Sequence, residues 1–353
     1  MTLDLAALGW DPDLAAVHRW DDHHFPGRVA RVDQGVCTVL GAAGPVRASL
    51  AATMLTAGAR DPVRLPCTGD WVAVRRWPDG RHTVEGVLPR RTVIVRRTAD
   101  KDASGQALAA NMDTAAVVEP MHPAPDEGRI ERMLALAWES GATPLVLLTK
   151  ADLVADAATV AAQVARAAPG VRVLAVSARR RDGLADVRPL VAAGRTLALL
   201  GPSGAGKSTL VNALVGAEVM ATQQIRRVDG KGRHTTTYRA LIPVPGGGAV
   251  LDTPGVRAVG LLDAAVGLEQ AFADIQALAD DCRFRDCAHE GEPGCAVREA
   301  LESGALSARR WANYQKLRRE AAYEMRRRDA RLAAVERARW KRLQREAAAR
   351  HRR

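Results

Sequence analysis

At 353 residues with 47% hydrophobic content, the chain exceeds one typical core and is apolar enough to fold as two or three domains rather than stay disordered. Its net charge of +11 is concentrated, since residues 309–353 hold 17 Lys and Arg against 5 Asp and Glu. A generally cationic protein is thereby excluded, and one C-terminal segment is marked as a contact for an anionic polymer such as nucleic acid.

Residues 1–26 read as a peripheral extension, with Asp, Trp and His in no clear period. The opening MTLDLAALGW has no basic n-region, and no apolar run approaches a membrane span, so a cytoplasmic protein without membrane contact is expected. From 27 to 101 the pattern turns short and β-like: Gly27–Val32, Gly35–Leu40, Gly69–Val74, Arg81–Val84 and Thr92–Val95, punctuated by Gly and Pro. About five such strands suit a small antiparallel barrel of the OB type. Arg90, Arg91, Arg96 and Arg97 suit phosphate contact there, or simply a solvated sheet edge.

Between 102 and 275 strands and helices alternate. Asp113–Glu119, Pro144–Leu148 and Val171–Val176 read as strands, and Ile130, Met133, Leu134, Ala137 and Trp138 form a helical stripe within Asp126–Ser140. The expectation is a doubly wound, mostly parallel sheet with ligands at the carboxyl ends of its strands. Two short motifs fall at such ends, Thr149-Lys150-Ala151-Asp152 and Ser177-Ala178-Arg179. Together they describe a guanine pocket. Asp152 accepts from guanine N1–H and the exocyclic amine, donors that adenine lacks, so adenine would leave a carboxylate unpaired. Lys150 lays its stem over the base, and the Ala178 amide meets the guanine carbonyl.

The strand Leu197–Leu200 then empties into Gly201-Pro202-Ser203-Gly204-Ala205-Gly206-Lys207-Ser208, followed by Thr209 and a helix to Val215. This matches the phosphate loop at every fixed position. The glycines let backbone N–H groups turn toward a polyphosphate, Lys207 supplies the counter-charge on which hydrolysis depends, and Ser208 offers a hydroxyl to Mg²⁺. Further on, Gly248–Leu251 ends in Asp252-Thr253-Pro254-Gly255. Asp252 holds a Mg²⁺-bound water, and the Gly255 N–H senses a γ-phosphate. An ordinary GTPase presents the phosphate loop first and the base motifs last. Here that order is inverted, so the sequence describes a circular permutation joined near Val187–Thr196, which is tolerated when the original ends lie close together.

Residues 276–353 carry Cys282, Cys287, His289 and Cys295, a Cys₃His set suited to one tetrahedral structural Zn²⁺, and then a long basic helix from Ser307. Cys37 and Cys67 read as small core residues.

With permuted motifs, a preceding barrel and this cluster in view, the chain resembles the ribosome small-subunit-dependent GTPase A family. The likeness spans about residues 27–325 and is most specific at GPSGAGKSTL, GRHTTT, DTPG and CRFRDCAHEGEPGC. It implies a GTPase, monomeric and cytoplasmic, that binds the small ribosomal subunit and its rRNA during late maturation. The subunit would stimulate hydrolysis, and hydrolysis would drive release. The family usually has Asn where Thr149 stands. Val256 follows the D-x-x-G motif where many GTPases carry a water-orienting Gln, so the resemblance makes His234 the group that orients water. The competing reading is a zinc-containing RNA-binding protein whose nucleotide is regulatory rather than turned over. A P-loop kinase or ATPase is disfavoured by Asp152 together with Ser177-Ala178.

Overall fold

The computed structural model describes residues 2–17, 21–97, 105–220, 239–253 and 264–328. After a short helix α1 (Pro12–Val17) come five barrel strands: β1 (His24–Asp33), β2 (Val36–Gly41), β3 (Gly44–Leu50), β4 (Trp71–Arg76) and β5 (His82–Val87). They close in the order β1-β2-β3-β5-β4. Only the β3–β5 pair is parallel. Val29, Cys37, Val39, Ala48, Val72, Val74 and Val84 point inward at alternate positions and fill the barrel. Helix α2 (Ala52–Arg60) lies in the chain between β3 and β4, as the OB-type connection requires.

Three details depart from the sequence expectations. The third barrel strand is Gly44–Leu50, hidden by its Gly-Pro start, while the Thr92–Val95 run leaves the barrel. It becomes β6 (Val93–Arg97), paired with β7 (Gly105–Ala110) in a separate ribbon. Arg90 is not free for phosphate. Its guanidinium bonds both oxygens of the fully buried Asp70 at 2.8 Å and the carbonyls of Val63 and Leu65. Arg91 pairs with Asp11. Nor is the N-terminal segment peripheral. Leu8 and Leu14 are buried, and Trp10 meets Trp71 with ring centroids 5.0 Å apart.

The second body is a six-stranded sheet of β8 (Thr114–Pro120), β9 (Thr143–Thr149), β10 (Arg172–Ala175), β11 (Thr196–Leu200), β12 (Ala240–Pro243) and β13 (Ala249–Asp252), in the order β10-β9-β8-β11-β13-β12. All neighbours are parallel except β12 and β13. Strands β8, β9, β11 and β13 read as near-continuous apolar runs because both faces are covered, with the carboxylates Glu119 and Asp252 falling only at the carboxyl ends of β8 and β13. The covering helices include α3 (Glu127–Glu139), α4 (Ala157–Ala167), α5 (Leu184–Val187) and α6 (Lys207–Val215). Asp126 starts α3 by accepting the Arg129 N–H at 2.9 Å, and Asp156 caps α4 through the Thr159 N–H. Counted from β11 and wrapped round the chain, the sheet order is 6-5-4-1-3-2. The strand that feeds the phosphate loop is central, flanked by one earlier strand and one later strand.

The C-terminal region consists of α7 (Ala264–Ala271), α8 (Ala273–Asp280), α9 (Ala296–Glu302) and α10 (Ala308–Arg328). Phe272, Ile275, Val297, Leu306 and Leu317 join Ile130 and Leu134 of α3 in one continuous core. A buried ionic junction fastens this contact. Arg310 bonds both oxygens of Asp274 at 2.8 and 2.6 Å, Glu131 at 3.0 Å, and the carbonyls of Ala167 and Ala271. Glu131 is fully buried and also takes Arg309 and Asn313. Removing one member of such a set leaves a stranded buried charge, at about 3–5 kcal/mol. Two of the C-terminal cations therefore serve the fold rather than an outside anion. The basic stretch from 329 onward lies outside the described residues.

Candidate functional site: a nucleotide site and a Cys₃His cluster

The carboxyl ends of β8, β9, β10, β11 and β13 lie along one edge of the sheet, and the described residues that the sequence assigned to nucleotide binding end or follow β9, β10, β11 and β13 there. Gly201 follows β11 so tightly that a Cβ on it would lie 2.2 Å from the Val118 carbonyl oxygen of β8. Gly206, left-handed at φ 90°, ends the loop and hands over to α6, whose first N–H groups have no side-chain cap. Anion recognition at a helix start needs those groups uncapped. Lys207 is buried, with its Nζ donating to the Gly201 and Pro202 carbonyls at 2.9 and 2.8 Å. Ser208 and Thr209 are half-buried, and Ser203 and Gly204 are exposed at the rim.

The base motifs, separated from this loop in the chain, meet it in space. Thr149 is 2% exposed, and its hydroxyl donates to the Ala205 carbonyl at 2.5 Å. Lys150 takes a left-handed conformation (φ 59°), which turns the chain sharply off β9 into the short 3-10 turn Ala151–Leu153. That turn brings Asp152 against Ser177, whose hydroxyl donates to its carboxylate at 2.6 Å. The bond holds the Asp152 carboxyl below the usual range, so it is an acceptor at neutral pH. Ser177 is itself held, its N–H donating to the Asp182 carbonyl at 3.0 Å and its hydroxyl accepting the Arg180 N–H at 3.1 Å. Ala178 follows, half-buried.

Asp252 closes the other flank. It is 2% exposed, and its Oδ1 is buried without a hydrogen-bond partner. Burial pushes its carboxyl above the usual range, while the charge of Lys207 acts the other way. A buried carboxylate oxygen with no donor suits a hydrated cation, so the residues fit Mg²⁺ held by the Ser208 hydroxyl and, through water, by Asp252. Thr253 is anchored to the Leu199 carbonyl at 2.7 Å. Gly255, Val256 and His234 lie outside the described residues.

The second cluster is Cys282, Cys287, His289 and Cys295, whose ligand atoms all lie within 4.8 Å of one another. Cys282 Sγ is 3.9 Å from Cys295 Sγ, and His289 Nδ1 is 3.6 and 3.4 Å from those two sulfurs. A tetrahedral zinc with bonds of about 2.3 Å to sulfur and about 2.0 Å to nitrogen sets such spacings near 3.8 and 3.5 Å, so the four residues fit Zn²⁺. Burial lowers the pKa of His289, which favours the neutral ligand form, and its ring stands edge-on to Trp311. Glu292 organises the intervening loop. Its carboxylate accepts the amides of Ala288, Glu290 and Gly291, and these bonds with its own amide hold its carboxyl down to about 2.

Among known proteins, the small ribosomal subunit biogenesis GTPase RsgA of Streptomyces coelicolor is 53% identical over 343 residues, 96% of this chain and 92% of that one. The chain belongs to the RsgA GTPase family. The family model itself, RsgA GTPase, matches residues 87–262. The protein of the same name from Opitutus terrae is 42% identical, covering 97% of this chain and 96% of its own. Two solved structures share the fold. YjeQ from Thermotoga maritima has a TM-score of 0.60 at 23% identity, over 84% of this chain and 98% of that one. YloQ, described as a circularly permuted GTPase, has a TM-score of 0.57 at 24% identity, over 86% and 97%. Membership of a GTPase family implies guanine nucleotide and Mg²⁺. Among the described residues, no helix is long and apolar enough to cross a membrane.

Sequence reasoning passed over Glu119. It is the penultimate residue of the largely apolar β8 and is fully buried, bonded by Arg129 through Nε at 3.0 Å and Nη2, and by the Asp126 N–H at 3.2 Å. This pins the start of α3 to the carboxyl end of β8. A carboxylate directly after the apolar run Ala115–Val118 was the available signal, because burial demands a cationic partner.

Proposed function

We propose that this chain hydrolyses GTP in late maturation of the small ribosomal subunit, with the subunit stimulating hydrolysis and hydrolysis driving release. The relatives' name, at 53% identity over most of the chain, supports the partner. The observation that carries the activity is the meeting of the base motifs and the phosphate loop at Thr149 and Ala205, which assembles one site from two separated halves.

In this reading Asp152 accepts from guanine N1–H and the exocyclic amine, Lys150 covers the base, and the Ala178 amide meets its carbonyl. Backbone amides from Gly201 to Thr209 surround the phosphates, with Lys207 countering charge on the terminal ones. Mg²⁺ on Ser208 and Asp252 would neutralise charge between the β- and γ-phosphates. The Gly255 N–H meets the γ-phosphate, and His234 orients the attacking water. The barrel region, residues 27–101, and the zinc-bearing region, residues 276–353, contact rRNA. The protein works in the cytoplasm as a monomer.

The test is GTP turnover by the purified protein, alone and with isolated small subunits. Slow turnover that rises by on the order of 10²-fold with subunits is expected. Rates that subunits leave unchanged would sink the proposal.

A further inference from the structure

The metal cluster accounts for its four ligands but not for the four residues between the first two. Cys282 and Cys287 enclose Arg283-Phe284-Arg285-Asp286, whereas about two intervening residues suffice to bring two thiolates onto one zinc. All four of these residues are exposed. Phe284 is the unexpected member. Of the chain's three phenylalanines, Phe272 is fully buried and Phe25 is half-buried against His82 and Arg76, but Phe284 is 41% exposed. Leaving an aromatic ring in water forgoes the stabilisation that its burial would bring.

The turn that carries Phe284 is braced. The Arg283 N–H donates to the Gly294 carbonyl at 3.0 Å, and the Cys287 N–H donates to the Phe284 carbonyl at 3.2 Å. Gly294 is left-handed (φ 74°), and a Cβ on it would lie 3.1 Å from the Arg283 Cβ, so the two sides of the loop approach closely. Phe284 is therefore displayed by a fixed turn and does not sit at a loose loop tip. The Arg283 guanidinium already lies over its ring, 5.4 Å from the centroid. Ring and cation together offer a stacking platform in water.

This combination suits single-stranded RNA. Every unpaired base has a π-face to lay on an aromatic ring, and its strand carries a phosphate on either side for the forked donors of arginine. A duplex keeps its base faces stacked and out of reach. An apolar protein partner would call for apolar residues around the ring, yet the chain neighbours of Phe284 are charged. We propose that Phe284 stacks on an unpaired base of the RNA partner while Arg283 and Arg285 take the flanking backbone phosphates. The proposal rests on the reading that the protein works on rRNA, and it narrows the contact of the zinc-bearing region to an unpaired stretch.

The experiment measures binding of the zinc-loaded full chain to a labelled single-stranded 12-nucleotide RNA, to its abasic counterpart and to isolated small subunits, by fluorescence anisotropy across a salt series. Zinc content and melting temperature are recorded for each protein. The Phe284 variants are compared at the high-salt end, where the C-terminal cations contribute least. Phe284→Ala should lose about tenfold or more on the base-bearing strand and less than about twofold on the abasic one, with its salt slope unchanged. Phe284→Leu should lose as much, and Phe284→Trp should bind like wild type. Arg283→Gln combined with Arg285→Gln should lower the salt slope by about 1.4, at about 0.7 per lost phosphate contact. Full retention by Phe284→Leu would assign the ring to a plain apolar contact and overturn the proposal. An alanine variant that loses zinc or melts earlier would make the ring structural and overturn it equally. Wild type that binds neither RNA nor small subunits would sink the functional reading itself. Wild type that binds both, with an alanine variant that binds them equally well, would sink this site alone.

Discussion

Thr149→Val tests whether the two halves of the nucleotide site depend on one hydroxyl. Valine keeps the shape, so no cavity opens at a position only 2% exposed. What is lost is the donor to the Ala205 carbonyl inside the phosphate loop. A neutral hydrogen bond contributes about 1 kcal/mol net, and a carbonyl left unsatisfied in a buried place costs about 1–3 kcal/mol. At about 1.4 kcal/mol per tenfold, nucleotide affinity should drop roughly 5- to 100-fold. GDP and GTP should lose alike, because the contact is to loop backbone and not to the γ-phosphate. Titration of fluorescent GDP and a slowly hydrolysed GTP analogue at saturating Mg²⁺ reads this directly, with Thr149→Ser as the variant that retains the hydroxyl. Affinities within twofold of wild type for the valine variant, or a loss confined to GTP, would refute the reasoning.

Asp152→Asn should weaken GTP and improve xanthosine triphosphate binding, since an amide donates to the extra carbonyl of that base; competition titrations showing the original preference would discard the base assignment. Asp252→Asn removes the buried charge of a carboxylate whose Oδ1 has no hydrogen-bond partner, so melting temperature should hold or rise while the Mg²⁺ needed for half-maximal turnover increases at least about tenfold; an unaltered Mg²⁺ titration counts against the assignment. His234→Ala should leave GTP affinity within a few-fold and cut subunit-stimulated hydrolysis by on the order of 10²-fold, trapping the protein on the subunit with GTP. Wild-type release by that variant would remove His234 from the proposed hydrolytic machinery. Metal analysis should find one zinc per chain, and chelation should shift Trp311 fluorescence, because the His289 ring abuts it. Chelation should also lower one shared unfolding transition, since Cys295 belongs to the same core as α3. An early, separate transition would mean the zinc region folds independently.

The parts legible in the sequence were those fixed by local covalent demands. The phosphate loop, the Asp152 turn and the Cys₃His set each need particular residues at particular spacings, and each proves to be assembled in space. The permuted order followed from the same motifs, and the six-stranded sheet bears it out. Less legible were features decided by distant partners. Arg90 and Arg310 are, in sequence, ordinary basic residues; only folding shows that Asp70, Glu131 and Asp274 claim them. The Gly44–Leu50 strand was masked by its Gly-Pro start, although Val46, Ala48 and Leu50 alternate as a strand should. The role of Thr149 was missed for a related reason. Compared with asparagine it reads as a lost base contact, whereas in space it is a tether between segments 56 residues apart.

The sheet order also bears on how the chain is made. Strands β8, β9 and β10 leave the ribosome before β11 does, so β8 begins life as an outer strand. Its apolar face and open row of N–H and C=O groups stay unpaired until Thr196–Leu200 emerges, about 80 residues after β8. The centre of the finished sheet is thus its last-sealed seam on the β8 side. The nascent nucleotide domain has no phosphate loop until that seam closes. Newly made protein can therefore hold GTP only once the two halves of its sheet have joined.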